Sequence, residues 1–245
     1  MQLKYLGTKI IPDLEGIFIE RPNRFLAKVK ISNKKEKIIL AHVHDSGRIT
    51  NVLVKGVRVL LKKVNNPKRK TQYDILFALH KNYWVLINTK YHPLLAREIL
   101  SKHIFSSDLK QILSEQFFYG ESRLDFVVKH KHGKITFIEV KGCTLEENGK
   151  ALFPDAPTKR GQKHLKTLLK LKKENEENDI MLLFLVFHPY TKCFAPNFSI
   201  DPQFAELFYQ ALKYGLIVKP VVLGYDYYKK TFFIKKTLPI CQETS

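Results

Sequence analysis

Between residues 14 and 88 the chain alternates short apolar runs with polar breaks, the runs falling at 16–19, 24–31, 37–40, 57–64, 73–79 and 83–87. Short strands at such close spacing predict a small antiparallel β-barrel or sandwich. Within 24–31, Phe25, Ala27, Val29 and Ile31 fall on one side and Arg24, Lys28 and Lys30 largely on the other, which makes one side core and the other basic. Beyond residue 88 the period lengthens. Pro93 suits the first turn of a helix over 93–103, whose stripe of Leu94, Leu95 and Ile99 also contains Glu98. Strands at 117–119, 123–128 and 134–140 follow as a meander, the last two apolar on both faces apart from one charged patch and therefore covered on both sides. Thr158 is the predicted N-cap of a helix over 159–173 with Gly161, Leu165, Leu168 and Leu169 inward. The unbroken apolar run 180–187 reads as a strand buried on both faces. Asp201-Pro202 opens a further helix, Gly215 ends it, and 216–223 returns as a strand, completing a βαβ unit. The pattern predicts two domains of mixed α and β character. An OB-like small β-barrel spans residues 1–88, and an α/β domain with a central mixed sheet spans 89–245.

Charge adds a partner. Forty-two basic against twenty-three acidic side chains give a formal net charge of +19 and a pI near 9.7. Such a field attracts polyanions, of which nucleic acid is the commonest, although a compositional bias toward Lys is the competing explanation. Cys143, Cys193 and Cys241 are odd in number, widely spaced and without a CxxC pair, so neither a disulfide framework nor a thiolate zinc site is expected. The N-terminus lacks an apolar leader and no run of about 18 apolar residues occurs, so a soluble cytoplasmic protein without a membrane partner is expected.

The charged patch carries the candidate chemistry. If the hairpin of Ser122-Arg123-Leu124-Asp125-Phe126 and Ile138-Glu139-Val140-Lys141 closes about Lys131-His132, Asp125 lies opposite Glu139, and Lys141 shares the Glu139 face. Opposed carboxylates sit about 5 Å apart at Cβ and repel unless a cation intervenes. Two carboxylates and an ammonium on one patch suit metal-assisted phosphodiester hydrolysis; an ordinary cross-strand salt-bridge cluster is the plainer reading. Glu98 is either a third acidic contributor or a salt-bridge partner of Arg97, Lys102 or Arg123.

The element order, a helix with an inward Glu, then strands bearing Asp and Glu-x-Lys, then a helix and a further strand, resembles the PD-(D/E)xK restriction-endonuclease-like fold. Here Leu124 stands where that motif's Pro would be. Longer blocks are more specific. Arg24-Phe25-Leu26-Ala27, Gly120-Glu121-Ser122-Arg123-Leu124-Asp125-Phe126, Glu139-Val140-Lys141-Gly142-Cys143 and Phe153-Pro154-Asp155-Ala156-Pro157-Thr158-Lys159-Arg160-Gly161-Gln162 resemble the sugar fermentation stimulation protein A family. That resemblance implies an OB-like N-terminal domain, a PD-(D/E)xK-like C-terminal domain and DNA binding. It implies that Asp125 and Glu139, with Glu98 a weaker match, hold Mg²⁺ or Mn²⁺, and that Lys141 orients the attacking water or stabilises phosphoryl charge. His44-Asp45-Ser46 and Phe187-His188-Pro189-Tyr190 depart from the family's usual residues, and no role is assigned to His188.

For nucleic-acid contact the candidates are Arg24, Lys28, Lys30, Arg48, Lys68, Arg69 and Lys70 on the barrel and Arg123, Lys159, Arg160, Lys163 and His164 on the second domain. Arg160 and His164 are four apart on one helix flank and suit a phosphate backbone, against the alternative of a solvated positive face. Asp155 reads as a loop cap in preference to an auxiliary site contact, and His42, His44 and Asp45 as an ordered loop in preference to a metal cluster. The leading expectation is a DNA-binding protein with a divalent-metal-dependent nuclease site. The alternatives are a non-catalytic DNA-binding transcriptional regulator of sugar metabolism and an RNA-binding factor.

Overall fold

The first strand, β1 (Lys4–Lys9), lies outside the barrel to which the sequence pattern assigned it: it pairs antiparallel with the last strand, at the edge of the second domain's sheet. The computed structural model describes residues 3–31, 37–45, 47–102 and 108–242, so Ser46 and the expected helix end at His103 lie outside the described residues. The barrel itself is a meander of β2 (Leu14–Asn23), β3 (Leu26–Ile31) and β4 (Lys37–His42), followed by β5 (Arg58–Lys63) and β6 (Tyr73–His80). A parallel pairing of β4 with β6 closes the order β4-β3-β2-β5-β6 into a ring of OB topology, and β7 (Tyr83–Leu86) hairpins onto β6. Ala27, Val29 and Ile31 are buried as their alternation requires, but Phe25 is 48% exposed and does not join them. At Gly16 a Cβ would meet the Val29 side chain at 2.5 Å and the Lys30 carbonyl at 2.8 Å, so the crossing of β2 and β3 requires glycine.

The second domain begins with α1 (His92–Ser101) and the meander β8 (Leu109–Tyr119), β9 (Ser122–His130) and β10 (Ile135–Cys143). A short hairpin follows, β11 (Leu145–Glu147) and β12 (Lys150–Phe153), then α2 (Lys159–Glu174), β13 (Asp179–Val186) and β14 (Cys193–Pro196). The chain finishes with α3 (Pro202–Lys213), β15 (Leu216–Asp226) and β16 (Thr231–Thr237). Seven strands form one mixed sheet in the order β1-β16-β15-β13-β10-β9-β8, while β11, β12 and β14 form a small separate one. β13 is parallel to both neighbours and buried along nearly its whole length, as its unbroken apolar run predicts. Its residues divide the interior. Ile180, Leu182, Phe184 and Val186 join the core under α2 and α3, whereas Met181, Leu183 and Leu185 join a core shared with α1 and the barrel. The sheet is thus sandwiched, and the barrel seals one of its faces.

Both predicted caps form: Thr158 Oγ1 accepts from Gly161 N at 3.0 Å and Asp201 Oδ1 from Phe204 N at 2.9 Å. Asp201 also accepts from Thr158 N (2.7 Å) and Gln162 Nε2 (2.8 Å), so one buried carboxylate ties the starts of α2 and α3 together. The cysteine expectation is corrected. Cys193 and Cys241, 48 residues apart, form a disulfide, because the bridge between Phe194 and Ile240 brings β14 beside the C-terminal segment; Cys143 is free and buried. Among the described residues no helix is long and apolar enough to cross a membrane.

Candidate active site between barrel and sheet

The acidic hairpin adopts the expected register, with Ile138 opposite Phe126 and Phe137 opposite Val127. The ladder's Cα pairing ends there, and Asp125 Oδ2 accepts from Val140 N at 2.8 Å, holding its carboxylate beside Glu139. Lys141, two residues beyond Glu139, places Nζ 2.6 Å from Glu139 Oε1. From α2, buried His164 directs Nδ1 to the same oxygen and stands 3.1 Å from Lys141 Nζ. A nitrogen that donates to a carboxylate cannot also accept from an ammonium, so both His164 and Lys141 donate to Glu139 Oε1. Glu139 Oε2 is buried and has no hydrogen-bond partner among the described residues.

The electrostatics separate the two carboxylates. Burial and the neighbouring Glu139 charge push Asp125 up to about 6, against the Val140 N–H, Lys141 and Arg160. Burial also acts on Glu139, but Lys141 and His164 outweigh it and hold that carboxyl below its ordinary value. Glu139 is therefore the anchored anion, and Asp125 the carboxylate still lacking enough positive charge.

Asp125, Glu139 and Lys141 line one side of a cleft of about 810 Å³. The opposite wall is the barrel, through Arg21, Arg24, Asp45 and Arg48, and Arg160 of α2 lies at the edge. Arg21 builds that wall by donating to the carbonyls of Gly47 (2.8 Å), Arg48 (2.8 Å), Asp45 (2.7 Å) and Arg24. Asp155 behaves as the expected loop cap, Oδ2 accepting from Ile49 N at 2.9 Å across the domain boundary, and Asn51 Nδ2 donates to the Thr144 carbonyl at 2.7 Å. Burial raises Asp45 to about 6, with the Asp155 charge acting in the same direction. His92, the first residue of α1, packs so closely on β10 that a Cβ at Gly142 would lie 2.2 Å from its ring.

Several predicted residues lie elsewhere. Glu98 is not in the cleft: its carboxylate accepts from the backbone N–H of Gly7 and Thr8 and from Thr8 Oγ1, because β1 supplies donors along α1. His164, expected on a phosphate-binding flank, is 3% exposed and committed through Nδ1 to Glu139. Arg69 pairs with buried Asp74 at 2.5 Å, and Asp74 also meets His44 at 2.8 Å, which accounts for that histidine without a metal. Lys28 pairs with Glu20 at 2.6 Å, and Lys163 with Glu121 at 2.9 Å. Lys30 lies half-buried on β3, and Lys68 and Lys70 are exposed on the loop between β5 and β6, so none of the three lines the cleft. Arg24, Arg48 and Arg160 do line it, while Arg123 and Lys159 flank a neighbouring groove.

Sequence reasoning missed Arg21, which reads as one more surface cation, and gave His188 no role. His188 is fully buried, its Nε2–H donating to the Thr144 carbonyl at 2.7 Å and Nδ1 accepting from Tyr83 Oη at 2.9 Å, so it bolts β7 to the end of β10. Burial lowers its pKa to about 4, which keeps the ring neutral for that double role. No group of three or more His, Cys, Asp and Glu side chains able to hold a metal occurs among the described residues, so side-chain ligation would rest on Asp125 and Glu139. Their donor set fits a hard divalent cation, since both are carboxylates and one oxygen is buried without a partner.

Known proteins agree with this architecture over its whole length. Residues 19–87 match the family model of the SfsA N-terminal OB domain, and residues 90–228 that of the sugar fermentation stimulation protein RE domain. The sugar fermentation stimulation protein homolog of Thermotoga maritima is 40% identical over 235 residues, covering 96% of this chain and 98% of the relative. That of Methanococcoides burtonii is 38% identical over 239 residues, covering 94% and 93%. Among solved structures, Pyrococcus furiosus SfsA in complex with Ca²⁺ superposes with a TM-score of 0.86 at 26% identity, over 97% of this chain and 99% of that one. With both domain models matched in order and the relatives covered nearly end to end, the chain belongs to the sugar fermentation stimulation protein family.

Proposed function

We propose that the chain is a DNA-binding protein whose cleft hydrolyses phosphodiester bonds with the help of Mg²⁺ or Mn²⁺. The observation that carries this reading is the bare, buried Oε2 of Glu139 beside an Asp125 whose pKa is raised, in a cleft to which Arg21, Arg24, Arg48 and Arg160 contribute. A buried carboxylate oxygen left without a partner costs several kcal/mol, on the order of 3 or more, and a bound cation would remove that cost. The Ca²⁺ bound by the Pyrococcus relative points the same way.

Asp125 and Glu139 would hold the cation, which when bound supplies Lewis-acid stabilisation of phosphoryl charge. Lys141, fixed by Glu139 at 2.6 Å, presents an ammonium at the cleft floor, where it can orient a water or meet charge building on a phosphoryl oxygen. His164 is a positioning residue: its hydrogen bond fixes the Glu139 rotamer. Arg24, Arg48 and Arg160 offer the charge that draws a phosphate backbone in.

Incubating single- and double-stranded DNA with Mg²⁺ or Mn²⁺, against chelator, tests the reading. Cleavage is expected with metal only, and Lys141→Ala should lower its rate at least about a hundredfold. Ca²⁺ should raise the melting temperature of the wild type and leave that of Glu139→Gln unchanged. Binding without cleavage on every substrate, together with no Ca²⁺ shift, would sink the nuclease and favour a regulator on the same fold.

A further inference from the structure

A second groove, of about 450 Å³, adjoins the acidic cleft and shares Arg160 with it. Phe118, Arg123, Lys159, Lys163 and Glu121 line it with Arg160 and the edge of His164. Phe118 stands on β8, the edge strand of the large sheet, directly opposite Arg123 on β9. Its neighbour Phe117 turns inward and packs on Phe137 with ring centroids 5.3 Å apart. Phe118 turns the other way and is left 69% exposed. The fold gains little from an apolar ring in that position. An isolated exposed phenylalanine is ordinary, but this one sits among four cations beside a candidate phosphodiester site. Glu121 offsets only one of the four, through its 2.9 Å pair with Lys163.

We propose that this groove is a base-stacking subsite for an unpaired DNA strand that continues from the acidic cleft, with Phe118 as its platform and Arg123, Lys159 and Arg160 holding the flanking phosphates. The inference rests on the nucleic-acid reading of the cleft and names its substrate class. An aromatic platform beside a cationic track is how single strands are held without sequence readout. Within a duplex each interior base is already covered on both faces by its neighbours, so the ring of Phe118 has nothing to receive along its length. Charge attracts either form of DNA, and the ring distinguishes them.

The test is fluorescence anisotropy of the full chain in chelator, with a labelled oligothymidine and with a blunt duplex of equal length. Phe118→Ala should weaken single-strand binding by about 5- to 140-fold, the range of one lost stacking contact. Its effect on the duplex should stay within about twofold, since only the faces of the two terminal base pairs are free there. Phe118→Trp should restore the single-strand affinity. Tyr228→Ala serves as the control, because that ring is 93% exposed and lines neither cleft nor groove. A loss on oligothymidine no larger than the control's, or an equal loss on both DNAs, overturns the subsite. Because this binding assay contains no metal, it is independent of cleavage: a protein that binds through Phe118 but neither cuts with Mg²⁺ or Mn²⁺ nor shifts its melting temperature with Ca²⁺ refutes the nuclease and leaves the subsite standing. Metal-dependent cutting with Phe118 dispensable does the reverse.

Discussion

At the scale of single residues, the structure turns on carboxylates in unequal surroundings. Asp125 and Glu139 were legible from numbering alone, since residues opposed across a hairpin share a constant sum and the observed pairs keep it. His164 was legible as a helix residue but not as a partner of Glu139, because that contact needs the packing of α2 on the large sheet. Asp45 was hidden for a similar reason: its environment is made by Arg21 and Asp155, which come from distant parts of the chain. Its pKa of about 6 in the fold, above the ordinary 3.8, has a definite sign. The folded state binds the proton more tightly, so this group's contribution is favourable at low pH and is lost as pH rises from about 4 through 6. Asp45→Asn keeps an oxygen for the Gly47 N–H and removes the charge. The variant should match wild type at pH 4 and gain up to about 3 kcal/mol at pH 8 in urea unfolding. A gain independent of pH would show that the charge is not its source.

Among elements, the caps, β13 and the barrel meander were readable because each is signalled within its own segment. The small sheet β11-β12-β14 and strands β1 and β16 were not, since three- and four-residue strands carry little periodicity and β1 finds its partner β16 far along the chain. Glu98 shows the cost of that blindness. On α1 it resembled an acid aimed at the metal site; with β1 in place it is the acceptor for three donors on Gly7 and Thr8. Glu98→Ala should therefore destabilise the fold by about 2–3 kcal/mol, the loss of charge-assisted bonds to orphaned N–H groups. Metal-dependent cleavage by the folded fraction should be unchanged. A large drop in cleavage without a drop in stability would return Glu98 to the active site.

For the whole molecule, the predicted two-domain division describes the two architectures but not how they are joined. The barrel packs on the large sheet through a continuous core, and Asp155, Asn51 and His188 fasten the two halves around the cleft. A fragment of residues 89–242 lacks β1 and the barrel cover. It should unfold at a lower temperature than the full chain and expose the apolar face that Phe126, Ile138 and Leu183 present to the barrel side, read as increased dye binding. An equally stable, dye-silent fragment would refute this dependence. The β1–β16 pairing also orders events in time. Thr231 Oγ1 donates to the Leu6 carbonyl across 225 residues of sequence. At about 5–20 residues per second, a ribosome takes roughly 10–45 s to make that length. Throughout that interval β1 lacks its partner strand. The sheet bearing the acidic hairpin thus gains β1 only after β16 has been made, and a chain interrupted before Thr231 carries the hairpin residues on an unfinished sheet.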